Sequence, residues 1–376
     1  MLLKVEKNVV EKVLYYLQNI VEKKTTMPIL SHCYLNIDKN STEIYATDLE
    51  ISYISKIESS SDEKARLVVP ARKLYEIIKE MPVKIINIKS EENNWVNIFS
   101  EKNISFKIAG LNPDDFPNIQ RFSDTKFSDM DCTILNEMID STIYAVSTDE
   151  TRFNLTGVFL EISSVKDEKK LTMVATDGHR LALNENTIKN LDLKLQKGII
   201  IPKKGLMELK KLIEKSKTVG IAVKDNHFVA KVDDSILAMR LIDADFPDYK
   251  GVIPKSSKRK SEITRESMLG ALKRSVIMLS SGKFQGIKLK LENNKMELYA
   301  NNPDVGSFQE EIDVSYTGEK IEIGFNAAYL IDALNSFADK EISFELEDEF
   351  NPCVIQRKKD KKDETRKLAV IMPMRL

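Results

Sequence analysis

Apolar residues recur at spacings of three and four in several stretches of this chain and alternate with polar ones in others. Val9, Val10, Val13, Leu14, Leu17 and Val21 form one helical stripe. Leu135, Met138, Ile139, Thr142, Ile143 and Val146 form a second, and Met268, Leu269, Leu272, Val276 and Leu279 a third. Each predicts an amphipathic helix. Each is followed by an alternating segment: Cys33, Leu35 and Ile37; Val158, Leu160 and Ile162; Ile287, Leu289 and Leu291. In the last, Lys288, Lys290 and Glu292 take the other face, as in a half-buried strand. Asn293-Asn294 then predicts a turn that returns the chain through Met296, Leu298 and Ala300, and Asn93-Asn94 and Asp225-Asn226 predict two more. A second, shorter helix follows in each case. Its stripes are Leu74, Ile77, Ile78 and Met81; Leu206, Leu209, Leu212 and Ile213; and Leu330, Ile331 and Leu334. Pro70 and Pro202 are expected in the first turns of the first two, where proline is tolerated.

The same words return in the same order. Ile44-Tyr45-Ala46-Thr47-Asp48 recurs as Met173-Val174-Ala175-Thr176-Asp177, and more loosely as Leu298-Tyr299-Ala300-Asn301-Asn302, offset by 129 and 125 residues. Val69-Pro70-Ala71-Arg72-Lys73-Leu74 recurs as Ile201-Pro202-Lys203-Lys204-Gly205-Leu206 and as Phe325-Asn326-Ala327-Ala328-Tyr329-Leu330. Asp115-Phe116-Pro117-Asn118 recurs as Asp245-Phe246-Pro247-Asp248. Solenoid repeats have periods of roughly 20–50 residues, so a period this long means three whole domains in tandem. Each reads as α+β, two helices against sheet. The expected domains are 1–127, 128–257 and 258–376, with boundaries in polar, turn-rich stretches near 119–130 and 254–262.

Composition narrows the function. The chain has 376 residues, 42% hydrophobic and 31% charged, so a core is expected and disorder is not. No apolar run approaches the roughly 18–20 residues a membrane helix needs, and charge in residues 1–8 argues against a secretory signal. Three scattered cysteines offer neither a disulfide framework nor zinc spacing, and three histidines make a multi-histidine metal site a poor reading. A cytoplasmic protein without cofactor or metal is expected. Formal charge is −1, so nucleic-acid affinity would need segregated patches. Residues 203–217 are one such patch, with six lysines against Glu208 and Glu214; Arg265, Lys273, Arg274 and Lys283 lean the same way. Residues 128–147 carry only acids, and a solvated helix face accounts for such runs more often than DNA does. The run from Arg357 to Lys367 reads as a solvated hairpin loop.

A catalytic reading would start from Asp177-Gly178-His179, but a short acid–imidazole spacing says little about geometry. The same slot holds Asp48-Leu49-Glu50 and Asn302-Pro303-Asp304, without histidine, so the aspartate is expected to serve a turn. His32 and His227 read as strand residues and the cysteines as unreactive thiols. No Walker-type loop or dinucleotide fingerprint is present. The chain is not expected to be an enzyme.

Three tandem domains carrying Val174-Ala175-Thr176-Asp177-Gly178-His179-Arg180-Leu181-Ala182, Asp245-Phe246-Pro247-Asp248-Tyr249 and the final Ile371-Met372-Pro373-Met374-Arg375-Leu376 resemble the bacterial sliding clamps, the β subunits of DNA polymerase III, from the first strand to the last residue. The resemblance implies the DNA clamp fold and a head-to-tail homodimer, a ring of six domains around double-stranded DNA. Such a ring would act as a processivity factor in DNA replication. Phosphate contacts without base readout permit sliding, and closing a ring hides strand edges. The positions matching the family's DNA contacts are Lys24, Arg72, Arg152, Lys203 and Lys204, with Phe153 nearby.

The resemblance also implies a hydrophobic cleft for short linear peptides of partners. Those partners are the replicative polymerase catalytic subunit, the clamp-loader complex, and other polymerases and repair proteins. Its residues would be Leu155, Thr176, Gly178, His179, Arg180, Leu181, Pro247 and Val252, with Phe284, Asn326, Tyr329, Pro352, Val370, Met372, Pro373, Met374, Arg375 and Leu376. The leucine, valine and methionine side chains would take apolar anchors, His179 and Arg180 would supply polar contacts, and Gly178 would admit close approach. Gly251 stands where some members carry an arginine at the rim, which bears on partner preference. The dimer interface would use Phe106 and Ile108 on one side and Met278 and Leu279 on the other, although all four also fit a core. A peptide-binding scaffold that does not encircle DNA is the alternative.

Overall fold

The computed structural model describes residues 1–22, 26–101, 103–165, 168–188, 191–193, 195, 197–279, 286–358 and 365–375. Lys24, Phe284 and Leu376 lie outside the described residues, as do 359–364 of the basic run. Among the described residues each repeat has its two helices: α1 (Lys7–Leu17) and α2 (Ala71–Glu80), α3 (Cys132–Asp140) and α4 (Lys203–Ile213), α5 (Arg265–Leu279) and α6 (Ala327–Ser336).

The helices are shorter than their stripes. In α1, Val10, Val13, Leu14 and Leu17 are buried while Val9 is exposed. Ile20 and Val21 are buried too, but in the turn beyond the helix, where the Ile20 N–H reaches the Leu17 carbonyl. α3 stops at Asp140 because Ser141 Oγ and Thr142 Oγ1 donate to the Met138 carbonyl, at 3.1 and 2.8 Å, and compete with helix propagation. A 3₁₀ turn at Ile143–Ala145 carries the stripe on. Pro70 and Pro202 end strands one residue before α2 and α4 rather than lying in their first turns. Asn93, Asn94, Asp225, Asn226, Asn293 and Asn294 all have positive φ, as expected of tight hairpin turns.

Packing divides the chain into two compact units, and the division runs through the middle repeat. The first comprises Met1–Thr133, Leu191–Lys194 and Lys204–Leu241. One of its sheets has five strands in the order Ser60–Ser61, Leu2–Glu6, Ile85–Ser90, Trp95–Phe99, Ser105–Ala109. Its other sheet has eight: Ser128–Asp131, Thr218–Lys224, His227–Val232, Ser235–Arg240, Ile51–Glu58, Ser41–Thr47, His32–Ile37, Ala65–Pro70. The first four come from the middle repeat and the rest from the first. They join through Ser235–Arg240 and Ile51–Glu58, with Leu237 opposite Tyr53. The polar stretch near 119–130 is no free linker, since Phe122 is buried against Val229 and Ala238.

The second unit comprises Ile134–Asn190, Leu195–Lys203 and Ile242–Leu376. Its nine-stranded sheet runs Ile199–Pro202, Gly157–Val165, Glu168–Thr176, Arg180–Ile188, Thr365–Ile371, Cys353–Arg357, Glu341–Leu346, Arg259–Thr264, Ser315–Thr317. Here Arg180–Ile188 of the middle repeat meets Thr365–Ile371 of the last, Ala182 opposite Ala369. The strand Arg259–Thr264 begins inside the stretch 254–262, and Ser261 there is buried. A four-stranded sheet runs Gly306–Asp313, Lys295–Asn302, Gly286–Glu292, Ile321–Asn326. Met268 and Leu272 of α5 and Leu330 and Leu334 of α6 pack on Ile287, Leu289, Leu291 and Phe325. Burial of that apolar surface is the main stabilising contribution.

The two seams are equivalent. In each, the strand after a Thr-Asp turn (Ile51–Glu58 or Arg180–Ile188) pairs with the last strand of the next repeat (Ser235–Arg240 or Thr365–Ile371). The strands left over at sheet edges are Ser105–Ala109, the first repeat's last strand, and Gly306–Asp313, the third repeat's strand after its turn. No helix among the described residues is long and apolar enough to cross a membrane.

Candidate functional site

The turn Thr176-Asp177-Gly178-His179-Arg180 is built from its own side chains. Thr176 Oγ1 accepts from the Gly178 N–H and donates to the Arg180 carbonyl; Asp177 Oδ1 accepts from the N–H groups of His179 and Arg180. Thr47-Asp48-Leu49-Glu50-Ile51 repeats the same bonds. The third residue has positive φ in both, +78° at Leu49 and +88° at Gly178. The aspartate therefore serves the turn in both copies, as the repeat predicts. In the third copy Asn302 Oδ1 accepts from the Asp304 N–H. The close approach that Gly178 permits is made by Arg152, whose Nη2 would lie 2.6 Å from a Cβ there.

Arg180 is drawn inward. Nε donates to Asp177 Oδ2 at 2.9 Å, Nη1 to Asp332 Oδ2 at 2.6 Å and Nη2 to the Tyr144 carbonyl at 2.8 Å. The guanidinium lies 4.4 Å from the Tyr329 ring centroid and 5.4 Å from that of Tyr144, with the side chain 11% exposed. Burial disfavours its charge, but Asp332 and Asp177 outweigh this and hold its pKa above the ordinary value. Arg180 is thus bound within the fold, and the outward polar group of this turn is His179. Its exposed imidazole stacks on Tyr329 at 6.4 Å and 22°. Sequence spacing carries no signal for the Arg180–Asp332 pair, whose members lie 152 positions apart.

The remaining residues matched to the cleft divide into a buried set and an exposed or half-buried set. Leu181 and Val370 are buried with Val174, Leu183, Tyr249, Val354 and Leu368, and Leu155 and Thr176 are buried as well. Pro247, Val252 and Met372 are exposed, Asn326, Tyr329, Pro352, Pro373 and Met374 are half-buried, and Arg375 is exposed. Asn326 caps α6 by accepting from the Ala328 N–H. The terminal segment is fastened as a wall: the Met372 N–H reaches the His179 carbonyl at 2.9 Å and the Met374 N–H the Gly324 carbonyl at 2.8 Å. Gly251 is exposed, and a Cβ there would meet Asp248 at 3.5 Å, an ordinary contact. One residue the sequence did not single out is Phe350, 68% exposed on a turn capped by Asp348. It borders an open groove of about 680 Å³ shared with Pro373, Met374 and Arg375.

Of the cations matched to DNA contacts, Arg72 and Lys204 hold the second positions of α2 and α4. A positive side chain at a helix N-terminus opposes the helix dipole, so neither position is favourable for its own helix. Arg72 is half-buried and donates to the Val21 carbonyl. Lys204 pairs with Asp48, a carboxylate of the first Thr-Asp turn. Lys203 is half-exposed. Arg152 is exposed and donates to the Asp177 carbonyl, and Phe153 beside it is 56% exposed.

Of the residues matched to the dimer interface, Phe106 is exposed and Ile108 half-exposed on the edge strand Ser105–Ala109. Met278 is half-exposed near the end of α5, but Leu279 is fully buried in the core. Ile277, at 64% exposure, is the larger apolar surface there. Cys33, Cys132 and Cys353 are buried, and burial pushes the Cys33 thiol up to about 12, out of the reactive range.

Repeated α+β domains knitted by shared sheets, with an apolar seam walled by the terminal segment, define a clamp-fold protein. Family models for the N-terminal, central and C-terminal domains of the DNA polymerase III beta subunit match residues 1–120, 129–248 and 250–375. The chain is 31% identical to the beta sliding clamp of Pseudomonas aeruginosa, over 99% of both proteins, and 30% identical to that of Vibrio cholerae over the same shares. The DNA polymerase sliding clamp of Caulobacter crescentus superposes with a TM-score of 0.91 at 30% identity, covering all of both chains. That of Bacillus subtilis gives 0.91 at 26%, covering all of this chain and 99% of its own. The chain belongs to the DNA polymerase III beta subunit family, the bacterial sliding clamps, which are non-catalytic processivity subunits of the polymerase.

Proposed function

We infer that two copies of this chain join head to tail into a ring that encircles duplex DNA, slides along it and tethers the replicative polymerase. The carrying observation is the pair of open sheet edges. Ser105–Ala109 and Gly306–Asp313 are the repeat equivalents of strands that pair at both seams within the chain. A second copy offers each edge its missing partner, joining a five-stranded to a four-stranded sheet much as the seams build sheets of eight and nine. The three repeats, taken as 1–127, 128–257 and 258–376, would then supply six domains per ring. Grip on DNA comes from Lys24, Arg72, Arg152, Lys203 and Lys204. Retention comes from topology, which suits a chain of net charge −1.

Partner peptides from the polymerase catalytic subunit, the clamp loader and repair proteins would seat against Pro247, Val252, Tyr329 and the segment 372–375. Their apolar anchors would rest on the floor of Leu155, Leu181 and Val370. The work is cytoplasmic and needs no cofactor. The test is retention on nicked circular duplex against linear duplex of the same length, after loading and a salt wash. A closed ring stays on the circle and runs off the linear ends. Equal loss from both would leave a peptide scaffold that does not encircle DNA.

A further inference from the structure

We propose that Asp332 is a positioning residue for the peptide cleft, acting through Arg180 on Tyr329; this rests on the cleft reading above. Tyr329 and Asp332 are three residues apart on α6, so their side chains share one face. Both grip the same guanidinium. Asp332 Oδ2 takes Nη1 at 2.6 Å, and the Tyr329 ring lies 4.4 Å from the guanidinium carbon. Asp177 Oδ2 and the Tyr144 carbonyl hold two other donors of Arg180. These two belong to the middle repeat and α6 to the third, so Arg180 is a bolt between repeats.

The bolt reaches the binding surface in one step. His179, next to Arg180 in sequence, stacks on the Tyr329 ring, and its carbonyl receives the Met372 N–H. One carboxylate on α6 thereby sets the ring against which the His179 imidazole stacks, while the backbone carbonyl of the same residue ties down the terminal segment. Asp332 itself is 44% exposed, so exchanging it need not disturb the core. Neutralising it removes the charge assistance at Nη1 and leaves Asp177 as the charged partner of the guanidinium, with the Tyr144 carbonyl still accepting from Nη2. Arg180 then shifts toward Asp177 and the Tyr329 ring loses its fixed cation. The cleft must reorder Tyr329 each time a peptide binds, and that ordering weakens affinity.

The experiment uses the full-length protein and fluorescein-labelled eight-residue peptides with a leucine and a phenylalanine anchor in an uncharged polar background, read by fluorescence anisotropy. Asp332→Asn should bind about tenfold more weakly, about 1.4 kcal/mol, and Asp332→Glu should recover most of the loss. In a Tyr329→Leu background Asp332→Asn should have no further effect, because the ring it positions is gone. A purely structural role would lower the melting temperature and cut affinity equally in both backgrounds, which would overturn the proposal. So would unchanged affinity in Asp332→Asn. Removing 372–376 separates the two levels of the argument. If that truncation abolishes binding while Asp332→Asn does not weaken it, only the positioning role falls. If the truncated chain binds as tightly as the whole one, the cleft itself is misplaced and the inference falls with it.

Discussion

Replacing Lys107 by proline tests the proposed ring closure at a single backbone atom. The ladder between Trp95–Phe99 and Ser105–Ala109 pairs Val96 with Ile108 and Ile98 with Phe106, and is bracketed by bonds from Gly110 N–H to the Asn94 carbonyl and Ser100 N–H to the Ile104 carbonyl. Antiparallel pairs alternate between bonded and non-bonded. Phe106 and Ile108 therefore bond inward, and the N–H groups of Ser105, Lys107 and Ala109 face the open edge. Proline at 107 leaves the inner ladder intact, since proline is tolerated on an edge strand, and deletes one outward donor. A hydrogen bond contributes about 1 kcal/mol net, and the partner's stranded carbonyl costs about 1–3 kcal/mol more. Each interface should weaken by about 2–4 kcal/mol, and a ring of two copies has two such interfaces, so the dimer should weaken by about 4–8 kcal/mol, on the order of a thousand- to a million-fold in dissociation constant. Lys107→Ala is the control. It removes the same contacts to Glu91 and the Trp95 ring while keeping the N–H. Molar mass by light scattering through a dilution series, with far-ultraviolet circular dichroism to verify the fold, reads the difference. If the proline and alanine variants dissociate alike, this edge is not the seam and the closure argument is wrong.

Removing 372–376 should abolish binding of partner peptides and leave the dimer intact by light scattering; a monomer instead would make the segment structural. Lys203→Glu should shorten retention on nicked circular DNA and flatten its dependence on salt, with peptide affinity unchanged by anisotropy. Lys204 is the poorer position for that test, because reversing its charge would also set two carboxylates against each other at Asp48. Stability should fall in alkali. Burial pushes the Tyr53 hydroxyl up to about 12, despite bonds to Ser235 and Ser55. The folded chain therefore keeps a proton that the unfolded chain loses near pH 10, so this contribution is present below pH 10 and lost between 10 and 12, to about 3 kcal/mol. Urea denaturation at pH 9 and pH 11 should show a smaller difference for Tyr53→Phe.

Most of the fold was legible because it is written three times. The Thr-Asp turns could be aligned by eye, and their bonds prove the same in two copies, down to a positive φ that glycine adopts freely at 178 and Leu49 must tolerate. What misled was periodicity past a helix end. Thr142, Ile143 and Val146 continue the α3 stripe, yet hydroxyl groups at 141 and 142 had already broken the helix. In the candidate site, the apolar floor could be anticipated from residue type. The inward turn of Arg180 could not, because it depends on Asp332 and two aromatic rings brought together only by the fold. Leu279 was equally opaque: a stripe tells which face is apolar, not whether the core or a partner covers it.

The seams within the chain and the one proposed between chains use equivalent strands, but only the first kind is tethered. A covalent link holds its two edges at millimolar effective concentration, so a pairing too weak to join free molecules stays shut. Ile51–Glu58 and Arg180–Ile188 can therefore drift in sequence with little consequence for closure. Ser105–Ala109 and Gly306–Asp313 enjoy no such protection, and every weakening there is felt in full. Of the joints in such an assembly, dilution would part the untethered ones first, so mutational intolerance should concentrate on those two short edges.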